Sequence, residues 1–126
     1  MTKAEALYQF WAQFEVPVYD EQSVPTGIHA PSLPYITYES ATDSLGGELS
    51  LTASIWTRGD GWESAEGISD RIAKAIAEFG YWIKPIDGGY LRICKRTPFA
   101  QRMPDPSDDA IRRIVLNITA EFMTAY

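Results

Sequence analysis

The chain has 126 residues, with 11 Lys and Arg against 17 Asp and Glu, for a formal net charge of −6. That length suits one domain with a core of its own, and the acidic balance is the reverse of what a phosphate-neutralising nucleic-acid binder carries. A single cysteine (Cys94) and a single histidine (His29) exclude a disulfide framework and a Cys/His zinc cage.

Met1–Glu15 predicts an amphipathic helix. Thr2 and Glu5 have capping-box spacing, and Leu7, Trp11 and Phe14 fall on one stripe of a 3.6-residue period. Pro17 ends it. Val16–Pro34 holds four prolines and Gly27, so it predicts irregular chain with at most a short strand at Val16–Tyr19. His29 lies in this loop with no second ligand nearby, and reads as a surface histidine. No apolar run reaches the ~20 residues of a membrane span, and the N-terminal residues lack the apolar stretch of a signal peptide.

Tyr35–Glu39 and Glu48–Thr57 predict two strands of an antiparallel hairpin. In the second, Leu49, Leu51, Ala53 and Ile55 alternate with Glu48, Ser50, Thr52 and Ser54, so one face is buried and Trp56 falls on the other. Arg58-Gly59-Asp60-Gly61 is a turn rather than an adhesion motif, and Asp60 with Glu63 repeats a cap-like spacing. Trp62–Phe79 predicts a helix with Ala65, Ile68, Ile72, Ala75, Ile76 and Phe79 as its apolar stripe. Gly80 stops it.

Tyr81–Ile86 and Gly89–Thr97 predict a second hairpin closed through Asp87-Gly88, with Cys94 as a small apolar strand residue. Pro98–Asp109 predicts a second proline-broken loop. Ala110–Met123 fits both a helical stripe and strict alternation, and its β-branched Ile, Val and Thr favour a strand. The resulting order of helix, three strands, helix and three strands predicts one α+β domain over residues 1–126. Its architecture is an antiparallel or mixed sheet covered by two helices.

Chemistry is scarce. There is no phosphate-binding glycine pattern and no nucleophile elbow. Asp105, Asp108 and Asp109 form the one carboxylate cluster, and its simpler reading is a soluble turn before the last strand. No catalytic residue, metal or cofactor is expected. Trp56 and Trp62 are unusual residues to leave in water, and Trp, Tyr and Arg are enriched at protein interfaces. They are the leading interface candidates and are expected to share one patch. Phe99 and Arg112 are the next candidates.

The opening amphipathic helix, "VPVY" before a proline-rich loop, "PYITYE", "LSLTASIWT", "GWESAEGISDRIAKAI" and the closing "RTPFAQRMPDPSDDAIRRIVLNITAEF" together resemble the tail terminator, or tail completion, proteins of long-tailed bacteriophages. The likeness runs over nearly the whole chain as pattern, without a catalytic signature. It implies a structural virion protein without enzymatic activity. Such a subunit forms a ring with copies of itself, commonly a hexamer, on the last disc of the tail-tube protein. The ring stops tube polymerisation, contacts the head-completion proteins of the neck and lets DNA pass through its lumen without sequence-specific binding. The family has no membrane partner; its members act in the tail and neck of the virion after assembly in the host cytoplasm. Two readings from other classes stand beside it: a small metal-binding module or enzyme using the 105–109 carboxylates, and a monomeric ligand-binding domain using the aromatic residues.

Overall fold

In the computed structural model, which describes residues 1–42, 47–59, 61–77, 80–104, 108 and 110–125, helix α1 (Lys3–Ala12) starts at its capping box. The Glu5 N–H donates to the Thr2 hydroxyl at 3.2 Å, and the Glu5 carboxylate accepts from the Thr2 N–H at 3.3 Å. Two of the backbone donors that a helix start leaves open are thereby satisfied. Strand β1 (Val18–Asp20) follows Pro17, then a loop with one helical turn at Gly27–His29. Strands β2 (Tyr35–Tyr38) and β3 (Glu48–Arg58) form the expected antiparallel pair, while β1 lies parallel to β2. Helix α2 (Glu63–Ala77) leads to β4 (Trp82–Ile86), β5 (Gly89–Met103) and β6 (Ile111–Thr124).

The six strands among the described residues make one mixed sheet in the order β1-β2-β3-β6-β5-β4. This is a single small α+β domain. β6 is central, set antiparallel between β3 and β5, and the β-branched segment is a strand along its whole length. Ile55, Ala53 and Leu51 of β3 stand opposite Ile114, Leu116 and Ile118 of β6, all buried. Ile36 of β2 and Leu91 and Ile93 of β5 extend this inner face, which shares one core with Leu7, Phe10 and Trp11 of α1 and Ile68, Ile72 and Ile76 of α2. Burying one such isoleucine contributes roughly 1.5–3 kcal/mol. Phe122, near the end of β6, packs against the margin of this core.

Pro98–Met103, expected as part of a loop, belongs to β5. The ladder runs Lys95↔Ile118 and resumes at Ala100↔Leu116, so residues 96–99 bulge opposite Asn117. The bulge takes in Pro98, which has no N–H to give a ladder. Asn117 replaces the missing ladder bonds with its side chain, whose Nδ2 donates to the Pro98 carbonyl at 3.0 Å and to Gln101 Oε1 at 3.2 Å. A proline breaks a sheet pattern in sequence, but a long partner strand with one amide side chain carries the pairing past it. Strand β1 lies at Val18–Asp20 rather than Val16–Tyr19 because Pro17 precedes it and only its carbonyl joins the pairing, accepting from Ile36 N–H at 2.8 Å. The expected roles of Asp60 and Phe79 fall outside the described residues.

Candidate functional site

Alternation along β3 places Trp56 on the outer face of the sheet, and strand register decides what surrounds it. Its cross-strand neighbours are Tyr35 on β2 and Arg113 on β6. The indole N–H donates to Thr37 Oγ1 at 2.9 Å, and the ring stacks on Tyr35 with centroids 6.5 Å apart. Tyr19 of β1 meets Tyr35 edge-on at 5.9 Å. The Arg113 guanidinium lies 4.7 Å above the Trp56 ring, while its Nε donates to Ser54 Oγ at 3.1 Å. A row of Tyr19, Tyr35 and Trp56 therefore crosses three strands and ends on an arginine, each of the four half-buried. Aromatic pairs and cation–π contacts in this geometry contribute ~0.5–1.5 kcal/mol each. Further along the same face Ile83, Tyr90 and Met123 are exposed, Tyr90 standing opposite Met123 in the ladder.

Trp62 has different company. Just before α2, its ring carries the guanidinium of Arg102 at 4.9 Å and that of Arg112 at 5.6 Å, and it packs against the core. Arg102 also forms an ion pair with Glu66, its Nε donating at 2.9 Å. By register Arg102 and Arg112 belong to the inner-facing set of β5 and β6, so Trp62 and Trp56 lie on opposite sides of the sheet. The expectation of one shared patch is corrected: Trp62 joins Arg112, and Trp56 joins Arg113. Phe99 stands apart in the β5 bulge, half-buried beneath the Lys95 ammonium at 5.5 Å. The aromatic row itself was missed in sequence, because period two gives the side of a residue and not its neighbour on another strand.

Of the acidic loop, Asp105 and Asp109 lie outside the described residues. Asp108 accepts from the Ala110 N–H at 2.8 Å and from Arg58 at 2.9 Å. The backbone hydrogen bond, then the arginine, hold its carboxyl below the usual aspartate range. Burial, then the nearby Asp20 and Tyr8, push the Tyr38 hydroxyl up. Among the described residues no three His, Cys, Asp or Glu side chains gather so as to hold a metal ion. His29 is exposed and Cys94 half-buried on the outer face opposite Thr119. A shallow cleft of about 240 Å³ opens between α2 and the end of β5, lined by Glu66, Ser69, Asp70, Ala100, Gln101 and Arg102 among others. Among the described residues no helix is long and apolar enough to cross a membrane. Comparison with protein-family models, curated proteins and solved structures finds no match to any of them.

Proposed function

We propose that this protein is a structural subunit of a long-tailed bacteriophage that caps the tail tube as a ring. It ends tube polymerisation and forms part of the neck, without catalysis. The sequence resemblance motivates the reading, and one observation carries it: the outer face of the sheet bears the Tyr19–Tyr35–Trp56 row with Arg113, together with exposed Ile83, Tyr90 and Met123. In this reading α1 and α2 cover the inner face and leave the outer one for partners. Aromatic and arginine side chains left on an outer face, at one end of the sheet as the Trp56 row and at the other as Tyr90 beside Met123, are the residue types enriched at protein contact sites. Trp56 meets the tail-tube protein or a neighbouring copy, with Trp62, Phe99 and Arg112 as secondary contacts because their own subunit already occupies them. Copies of the chain make the ring, a hexamer as is common in the proteins it resembles, the neck proteins bind its far side, and DNA passes through the lumen. A net charge of −6 keeps that passage from holding the genome.

The test combines sedimentation of the purified chain with electron microscopy of purified tail tubes to which it is added. Rings in solution or on tube ends, with tube growth halted, are the expected result. A chain that stays monomeric and leaves tubes growing sinks the proposal. The carboxylate-dependent reading has no comparable support, since Asp108 is already held by Arg58 and Ala110.

A further inference from the structure

The two margins of the sheet differ in length and in charge. Strand β4 pairs only with Gly89–Ile93 of β5, ending where Trp82 faces Ile93. Strand β5 continues to Met103 with β6 on its other side. From Cys94 to Met103 its outer margin carries no strand among the described residues, and all of it except Cys94 and Phe99 is exposed. At the opposite margin β1 has β2 on one side only. Between Lys3 and Arg58 the chain has seven acidic side chains and no Lys or Arg. Strand β5 carries Arg92, Lys95, Arg96 and Arg102 and no acid. The strand order sets Asp20 and the adjoining Glu21 at the β1 margin of the sheet and the basic strand β5 toward the other.

From this we infer that copies of the chain associate head to tail, the β1 margin of one copy, with Asp20 and Glu21, docking on the free β5 margin of the next, beside Lys95 and Arg96. Like margins repel: β5 against β5 opposes basic side chains, and β1 against β1 opposes acidic ones. A contact between unlike margins is heterologous, so it repeats from copy to copy and closes into a ring when the rotation returns on itself. The inference thus rests on the ring in the proposed function and names its interface. The bulge at 96–99 and Pro98 cut the β5 margin into short runs, which discourages indiscriminate strand addition. Three-residue β1 is short enough to use such a run, and charge selects it. Arg102 is already neutralised by Glu66, and Asp70 lies nearby on α2, so the attraction falls to Lys95 and Arg96.

The experiment uses the full chain in three forms: wild type, Lys95→Glu with Arg96→Glu, and Asp20→Asn with Glu21→Lys. The asparagine keeps the oxygen that accepts from the Gln22 N–H. Folding is followed by melting and assembly by sedimentation over a range of concentration and salt. Each variant is expected to dissociate at concentrations about tenfold or more above those at which wild type does, and wild-type assembly is expected to weaken as salt rises. Mixing the two variants is expected to restore oligomers, because each then meets the opposite charge. Hydrogen exchange of the wild type is expected to slow at residues 94–103 on assembly. If both variants assemble as wild type does, or if exchange at 94–103 is unchanged, these margins are not the interface and the ring reading survives. A wild type that stays monomeric at every concentration overturns the inference and the ring together. Should a variant melt early, the exchange measurement on wild type decides.

Discussion

The two tryptophans raised by the sequence differ in what their removal should do. Trp56 is half-buried on the outer face, held by one hydrogen bond to Thr37 and by Tyr35 and Arg113. Trp56→Ala is expected to lose less than about 3 kcal/mol of folding stability, below the range for a fully buried indole. It should weaken binding to tail tubes or to neighbouring copies by ~2 kcal/mol or more. Trp62→Ala removes a half-buried ring from the core margin together with its contacts to the Arg102 and Arg112 guanidiniums, so its expected cost is about 2 kcal/mol or more in thermal unfolding. A larger loss at Trp56 than at Trp62 would reverse the assignment of inner and outer face. Asp108 offers a test by pH. Its folded pKa lies below the unfolded value of 3.8, so the stabilisation is present above that value and lost as pH falls through the folded one. Asp108→Asn should therefore melt below wild type at neutral pH, and the two melting curves should converge in acid. A gap that persists in acid would mean that the carboxylate charge is not the cause.

Helix α2 and the β4–β5 turn are the elements with the sharpest structural demands. Ile72 is wholly buried between α2 and the sheet, so Ile72→Asp puts an unpaired charge into the core. The expected result is loss of the folded state, at a cost of about 4 kcal/mol or more, read by circular dichroism. A folded, soluble variant would place the helix on the wrong face. At Gly89 the constraint is the approach of another strand: a Cβ there would sit 1.8 Å from the Met123 carbonyl oxygen. Gly89→Ala must move backbone of β5 or β6, and is expected to lower stability by ~1–3 kcal/mol or more in denaturant unfolding. Sequence placed this glycine at the start of a strand, next to the Asp87-Gly88 turn, which local chemistry does show. It did not show that β6 passes this close, because that contact joins residues far apart in the chain. The β5 bulge has the same lesson, since Pro98 reads as a breaker until Asn117 of another strand is seen to bond its carbonyl.

At the scale of the whole molecule the loop from Gln22 to Pro34 is the segment least tied to the rest. Its backbone N–H groups bond only within the loop or to Asp20, as with Ser23 to Asp20 and Ala30 to Gly27. Its amides are expected to exchange fast in the free subunit and more slowly once copies or tail tubes are added. Equal exchange in both states would remove the loop from any interface. The sequence by itself determined the α+β class, the two helices, the buried residues Leu7, Trp11 and Phe14 and Ala65, Ile68, Ile72 and Ile76, both hairpins, and the last strand, expected at Ala110–Met123 and found at Ile111–Thr124. Capping, period and β-branching act within a few residues and need no partner. It also determined the side of the sheet on which Trp56 stands. Tertiary structure alone decided that β6 lies between β3 and β5, that Tyr19 and Tyr35 stand beside Trp56 with Arg113 above it, and that Trp62 belongs to the other face. Register is fixed by pairing between distant segments, and no local pattern in a chain encodes which residue of one strand will face which residue of another.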